Sequence, residues 1–324
     1  MTRYTCNNEV YIRFLQSTIG RYTALTCAHI APIKISHDAI SRWLRNTEYN
    51  PNTLWEKIKD EVLEKSGILI VDDTVISKPR SEKLDLVQPI YSGAEHAVVK
   101  GINVTSLLWK GYDQNENFFC LDHHVYQPQK DNKTKNQAFQ DMFVQAYERG
   151  VRAEYVVADT WYSSCLDNLK LIRKFNTDWI MGLRKNRRIN KGSTSLQDLD
   201  IPKYGSKVHL RGYGWIKVFL IEAQNGRKDY IGTSNLTITR EDIVAHYKSR
   251  WSVEVYHREL KQVYGLGKCQ SHTGRAQRNH IGLVIHAWTR NQFTRIRDNI
   301  SHYLQKWQLI QPALALSFQS TYFS

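Results

Sequence analysis

The chain has 324 residues, 41% of them hydrophobic and 11% aromatic, which is enough apolar content for a sizeable core. Its formal net charge of +14 points to a polyanionic partner, nucleic acid first. No apolar run approaches the roughly 18 residues that a membrane span needs, and the five scattered cysteines form no C-x-x-C pair, which argues against a zinc site or disulfide framework and fits a reducing cytosol.

Residues 1–62 read as a helical, helix-turn-helix-like segment. Val10, Ile12, Phe14, Leu15 and Ile19 form one apolar face. Ala24, Leu25, Cys27, Ala28 and Ile30 form a second, which Pro32 interrupts. Ser36 stands as an N-cap before a helix that turns Ile40, Trp43 and Leu44 inward. Ser41, Arg42 and Arg45 then face out. A turn followed by a short helix with basic outer residues suits docking in a DNA major groove, with Arg42 and Arg45 as candidate contacts. A plain helical bundle has the same pattern. A further helix starts near Thr53.

Residues 63–184 alternate strands and helices. The run 67–71 is continuously apolar and leads into Asp72-Asp73-Thr74, as expected of a strand covered on both faces. Carboxylates at the end of such a strand are costly to desolvate, and a metal ion offsets that cost. The polar stretch 77–96 reads as a loop near nucleic acid. Strands are expected at 97–109 and 117–126, with the turn at 111–116. His123 and His124 are adjacent, so they point to opposite sides and read as structural. A helix over 134–150 stops at Gly150. A second apolar strand, 155–158, ends in Asp159. A helix over 164–174 and a strand at 179–183 complete a parallel crossover. Two buried strands that each end in Asp favour paired metal ligation over a turn-capping Asp.

Residues 185–238 lose helical periodicity and read as an inserted β-rich subdomain. The basic run 184–188 beside it suits a DNA backbone or a solvated loop. Residues 239–290 bring a helix capped by Thr239 that is expected to run on through Lys261. Helical spacing puts Tyr247, Arg250, Glu254 and Lys261 near one face: a phenol, a carboxylate and two cations. The plain alternative is a salt-bridged solvated face. A helix over 275–307 leads into the tail 291–324, which carries no clear signal after Gln311. Asp72, Asp159 and Glu254 emerge as candidate catalytic acids and metal ligands. They suit two Mg²⁺ ions, or Mn²⁺, about 4 Å apart.

Tyr247, Arg250, Glu254 and Lys261 fit the pattern Y-x2-R-x3-E-x6-K at every spacing. Asp72-Asp73-Thr74 resembles a D-x-T motif, and Val157-Ala158-Asp159 resembles a second acidic strand. In these features, over roughly residues 65–290, the chain resembles the DDE transposases of bacterial insertion sequences. The resemblance implies an α/β fold with a ribonuclease-H-like core, a mixed sheet flanked by helices, and a β insertion between the second Asp and the Glu. It implies an enzyme that cuts double-stranded DNA at transposon ends and joins the freed 3′-OH to target DNA. It makes Asp72, rather than Asp73, the first acid, and places Tyr247, Arg250 and Lys261 on terminal phosphates. A homodimer on paired ends, a bacterial cytoplasm with nucleoid association, and no membrane role go with it. Some relatives stack an insertion-domain Trp on a flipped base. Trp215 is the candidate here, although the residues themselves favour a core Trp. Two other functions stay open: a ribonuclease-H-like nuclease without strand transfer, and an inactive transposase-derived repressor. The presence of all three acids counts against the second.

Overall fold

The computed structural model describes residues 6–93, 95–112, 117–222 and 226–322, so positions 113–116 of the expected turn lie outside the described residues. By compactness the chain forms two discontinuous units. Unit 1 comprises Met1–Lys57, Thr74–Val104 and Val255–Ser324; unit 2 comprises Ile58–Asp73 and Thr105–Glu254. In chain order the first elements are α1 (Asn8–Ser17), α2 (Ala24–Ile30), α3 (His37–Asn46), α4 (Asn52–Leu63), β1 (Gly67–Ser77), β2 (Gln88–Ser92), β3 (Ala97–Gly111) and β4 (Phe118–Val125). Next come α5 (Pro128–Asp131), α6 (Lys135–Glu148), β5 (Tyr155–Ala158), α7 (Thr160–Ser164), α8 (Leu166–Lys174) and β6 (Asp178–Leu183). The short β7 (Arg188–Ile189) and β8 (Thr194–Ser195) pair with each other, and β9 (Ser206–Leu210), β10 (Gly214–Glu222) and β11 (Lys228–Thr233) follow. Four helices close the chain: α9 (Arg240–Lys248), α10 (Trp251–Gln262), α11 (Gly274–Asp298) and α12 (His302–Tyr322). No helix among the described residues is long and apolar enough to cross a membrane.

In unit 1 the first three helices start where short polar side chains cap them. Asn7, Thr23 and Ser36 accept from the backbone N–H of Val10, Thr26 and Ala39. Ile40, Trp43 and Leu44 of α3 are buried as the spacing requires. The stretch 77–96 is not wholly loop: β2 pairs antiparallel with the start of β3, from Gln88↔Gly101 to Ser92↔Ala97. Ile90 is buried there between exposed neighbours, and so short an alternation is easily missed in sequence. The expected helix 275–307 is two helices. α11 ends at Asn299, whose φ of 53° is a left-handed conformation that Asn tolerates and most residues do not.

Two buried histidines tie this unit together. His280 takes the Tyr11 hydroxyl at Nδ1 (3.0 Å) and donates from Nε2 to the Gly265 carbonyl (3.0 Å). His302 takes the Tyr264 hydroxyl at Nδ1 (2.6 Å) and donates from Nε2 to Gln292 Oε1 (2.9 Å). Each arrangement requires the neutral ring. Burial holds His280 down to about 4 and His302 down to about 3. The unfolded chain therefore binds more protons below pH 6.5, and unit 1 loses stability as pH falls from there toward 4. Amide exchange in α11, corrected for intrinsic rate, should show weaker protection at pH 5 than at pH 7. Equal protection would contradict it.

Unit 2 is built on a mixed sheet in the order β3-β1-β5-β6-β11-β10-β9, with β4 on β3. β1 and β5 are parallel, with Leu69↔Val156, Ile70↔Val157 and Val71↔Ala158 in register. All six of these side chains are wholly buried, which explains their continuous apolarity. Each of the larger ones contributes about 1.5–3 kcal/mol. β5 and β6 are also parallel, and α7 and α8 make the crossover between them. α6 opens with a capping box of Thr134 and Gln137, and Gly150, with φ of 91°, follows its end.

Three expectations change. β1 runs on to Ser77, so Asp72 and Asp73 lie within the strand rather than at its end. Most of the β-rich stretch, β11, β10 and β9, joins the main sheet through antiparallel β6–β11 pairs, while β7 and β8 pair apart from it. The helix expected from Thr239 through Lys261 is broken at Ser249-Arg250. There Ser249 N–H bonds His246 O (3.1 Å), Arg250 N–H bonds Tyr247 O (3.1 Å), and the Ser249 hydroxyl donates to Ala245 O (3.4 Å). A serine that back-bonds its own helix and a tightened three-residue turn end α9 and let α10 restart.

Candidate active site

Asp72 and Asp159 each follow directly on the paired residues Val71↔Ala158 of two parallel strands. Their backbones are therefore neighbours, about 4.8 Å apart. Asp72 Oδ1 accepts the Asp73 N–H at 2.8 Å. Asp159 is the N-cap of α7, and its Oδ1 accepts the Trp161 N–H at 2.9 Å. Burial, then the charges of Asp159 and Asp73, push Asp72 up to about 7. Burial also raises Asp159, against the pull of its backbone bond to Trp161.

The other polar groups of unit 2 distribute around this pair. Asp73 has its own counter-cation, Lys135 Nζ at 2.9 Å from Oδ2. Arg250 lies in the turn between α9 and α10. Its Nη2 is 2.8 Å from Glu254 Oε1 and its Nη1 is 3.7 Å from Asp72 Oδ2. One guanidinium thus joins Glu254 to Asp72. The same guanidinium carbon stands 5.9 Å from the Tyr247 ring centre. The break in the expected helix is what puts Arg250 among the acids.

Gly182 on β6 permits the close packing behind Tyr247. A Cβ built there meets Thr160 Oγ1 at 2.8 Å and Tyr247 Oη at 3.2 Å. Gly182→Ala should displace one of them, cost about 1–3 kcal/mol of stability and lower cleavage about tenfold through Tyr247. Thermal melts and single-turnover rates check this, and a wild-type rate would contradict it.

The carboxylate oxygens of Asp72 and Asp159 are a hard donor set that suits Mg²⁺ or Mn²⁺. The Asp159 charge raises the proton affinity of Asp72, so further positive charge beside the pair is favourable. Among the described residues no three acidic, His or Cys groups converge on one metal position. Glu254 is held instead by Arg250. The donor chemistry of the pair fits such an ion.

The remaining candidates are placed as follows. Lys261 belongs to unit 1, in the last turn of α10, where burial lowers its pKa and the Glu95 charge opposes the shift. Arg42 and Arg45 are exposed on α3, and Arg45 Nε donates to Ser41 O at 3.2 Å. Trp215 is not a core residue: on β10 it is 60% exposed and lies edge-on to His209. It stands on a strand near the sheet's edge, which no local pattern distinguishes from a central one. His123 and His124 line a cavity of about 590 Å³ with Asp122 and Asp141. Sequence reading missed Lys135 and Trp161. Trp161 is 48% exposed beside Asp159, with Lys135 Nζ 5.5 Å from its ring centre. An aromatic two residues after the acid was visible in sequence; the partnership of Lys135 with Asp73, 62 residues apart, was not.

The family described as "Transposase DDE domain" matches residues 64–290, more than half of the chain. The chain belongs to the transposase DDE domain family. This transposase is an enzyme of DNA strand cleavage and transfer. Among curated proteins none shows significant sequence similarity to it. In fold it is similar to piggyBac transposase in a synaptic complex with hairpin DNA, at 11% identity and a TM-score of 0.50, over 96% of this chain and 73% of that one. A Drosophila P element transposase in a strand transfer complex matches at 13% identity and a TM-score of 0.30, over 55% of this chain and 38% of that one. Mos1 transposase in a pre-cleavage transpososome matches at 10% identity and a TM-score of 0.21, over 91% and 80%.

Proposed function

We propose that Asp72, Asp159 and Glu254 are the acids of this transposase's reaction. They hold divalent metal, Mg²⁺ or Mn²⁺, and the substrates are double-stranded transposon ends and target DNA. The carrying observation is the side-by-side placement of Asp72 and Asp159 by the β1–β5 register, with Arg250 joining Glu254 to Asp72. The spacing of Tyr247, Arg250, Glu254 and Lys261 supports membership of the Y-R-E-K group of bacterial insertion sequences, with action on DNA in the cytoplasm. A mixed sheet with parallel β1, β5 and β6 at its centre supports a ribonuclease-H-like core.

When bound, the metal activates the attacking oxygen and stabilises the leaving one. The chain's own residues do the rest. β1 and β5 fix Asp72 and Asp159, and Lys135 pairs with Asp73. Arg250 exchanges Glu254 for a DNA phosphate oxygen, which frees the carboxylate. Tyr247 holds the guanidinium in place by its ring. Arg42, Arg45 and Lys261 bind DNA backbone, and two copies pair two ends.

The test incubates the full chain in Mg²⁺ with a duplex of the terminal sequences flanking its gene and a supercoiled plasmid. Joined products are expected. Nicking without joining would favour the nuclease, and metal-independent binding without nicking would favour the repressor.

A further inference from the structure

α7, which follows Asp159, carries a surface that the metal chemistry does not use. The helix is held from within: Tyr162 is wholly buried, and the buried Ser163 hydroxyl donates to the Gly182 carbonyl at 2.6 Å. Trp161 beside them is instead 48% exposed. Its indole N–H has no acceptor among the described residues. An open indole forgoes one of the largest apolar burials a side chain can make, and yet this one is not loose. Its backbone N–H is bonded to Asp159 Oδ1. Lys135 Nζ stands over the ring, 5.5 Å from its centre, while it bonds Asp73 Oδ2 at 2.9 Å. A cation that close to an indole face fixes the ring's orientation. The ring is therefore set in advance, two residues from a candidate acid.

The other end of α7 meets the basic run that follows β6. Arg187 Nη1 donates to the Ser164 carbonyl at 3.4 Å, and the Arg187 N–H closes a turn on the Arg184 carbonyl at 2.9 Å. The Gln197 N–H on the Lys185 carbonyl (2.9 Å) and the Leu196 N–H on the Arg187 carbonyl (3.1 Å) pin the turn. Arg184, Lys185 and Arg188 are exposed. None of these four cations has a carboxylate partner among the described residues. Burial and then the Arg184 charge lower the pKa of Arg187, so like charges are held together with nothing to offset them. Such a cluster fits a polyanion better than a face laced with ion pairs. β5 and β6 are parallel with Ala158↔Met181 in register, which puts the Arg184 backbone roughly 8 Å from that of Asp159.

Ring and cations together choose among the forms of DNA. In a duplex each base face is covered by its neighbours, and the grooves offer only edges to donors and acceptors. An indole has nothing there to stack on. A single strand offers a bare base face and a row of phosphates, and aromatic platforms beside cations are how proteins hold it. A protein partner would take Trp161 as an anchor, but charge is depleted at the core of such interfaces, and here cations stand at both ends of α7.

We infer that α7 is a platform for a single strand: the Trp161 ring stacks on one unpaired nucleobase beside the cut, and Arg184 and Arg187 hold phosphates of the same strand. This surface is distinct from that of Trp215, whose strand β10 lies two strands beyond β6 in the sheet. Its place beside the cut rests on Asp159 being an acid of the reaction; the binding itself does not.

The test is equilibrium binding of the full chain, in chelator, to a single strand of roughly 10 nucleotides with a fluorescent purine analogue at its centre. Wild type should quench the analogue. Trp161→Ala should weaken binding about 10- to 100-fold and abolish the quench at an unchanged melting temperature. Trp161→Phe should restore most of both. A blunt duplex of the same sequence should bind wild type and Trp161→Ala equally. Arg184→Gln with Arg187→Gln should make the salt slope for the single strand shallower by about 1.4, for two phosphates at about 0.7 each. If that variant unfolds, Arg184→Gln alone is read, with a change of about 0.7. In metal, mismatched bases at the cut should speed Trp161→Ala more than wild type, because they remove the cost of unpairing. An unquenched wild type, wild-type affinity in Trp161→Ala, equal losses on strand and duplex, or an unchanged salt slope would each overturn the inference. A chain that holds the strand through Trp161 yet cleaves nothing in metal leaves the platform standing and removes the acids. One that cleaves and holds the strand without Trp161 does the reverse.

Discussion

Asp159→Ala should lower strand cleavage by at least about a thousand-fold while end binding stays within a few-fold of wild type. The carboxylate has two tasks. It caps α7 through the Trp161 N–H, and it faces Asp72 across the β1–β5 pair. Alanine removes both, and the lost cap costs about 1 kcal/mol of stability. Asp159→Asn separates them, because asparagine caps as well as aspartate but carries no charge. The Asn variant is expected to melt normally and cleave no better than the Ala variant. It should also stabilise the metal-free protein at pH 8. Asp72 is pushed up to about 7 in the fold, from an ordinary 3.8, by burial and then by Asp159. The folded state therefore binds the Asp72 proton more tightly, and the metal-free protein loses stability as pH rises from about 4 to 7. Removing the Asp159 charge relieves part of that loss. Asp72→Asn and Glu254→Gln should abolish cleavage likewise. Melting curves in chelator, gel shifts and single-turnover cleavage read the three effects, and full cleavage by any one variant would sink that residue's assignment.

Arg250→Gln should be the second most damaging change, with cleavage down about 100-fold or more. In the structure the guanidinium serves Glu254 and Asp72 together. Its loss leaves two carboxylates short of a counter-cation. Glu254 is 36% exposed, so water screens part of the penalty and the loss of stability should be about 1 kcal/mol. Arg250→Lys keeps the charge but not the planar fork that spans two acids, so it should recover the stability before the activity. With no cation competing for Glu254 and Asp72, Arg250→Gln should bind Mn²⁺ more tightly than wild type in a calorimetric titration. Unchanged metal affinity together with a wild-type cleavage rate would remove Arg250 from the site.

Much of the scaffold around the candidate site was legible in sequence. Runs of continuous apolar residues named β1 and β5 as buried strands, and those strands carry Asp72 and Asp159 into adjacent positions. Ser36, Thr134 and Thr239 marked helix starts because short oxygen-bearing side chains satisfy free N–H groups there. Non-local decisions escaped. Whether β9, β10 and β11 form their own sheet or extend another depends on the β6–β11 pairing, which no local pattern encodes. The break at Ser249 is a contest between helix propagation and one serine's back-bond, and helical spacing alone cannot show it. That break changes the part played by Arg250. Placed by spacing on one face with Tyr247, Glu254 and Lys261, it lies between two of the three candidate acids.

The central claim is that Asp159 acts through metal. Asp159→Cys tests it most directly, because a thiolate is a poor ligand for Mg²⁺ and a better one for Mn²⁺. The account predicts cleavage of end DNA lost in Mg²⁺ and restored in Mn²⁺ for this variant, with Asp159→Ala inactive in both. Cleavage by Asp159→Ala in either metal, or by Asp159→Cys in Mg²⁺ at the wild-type rate, would contradict it.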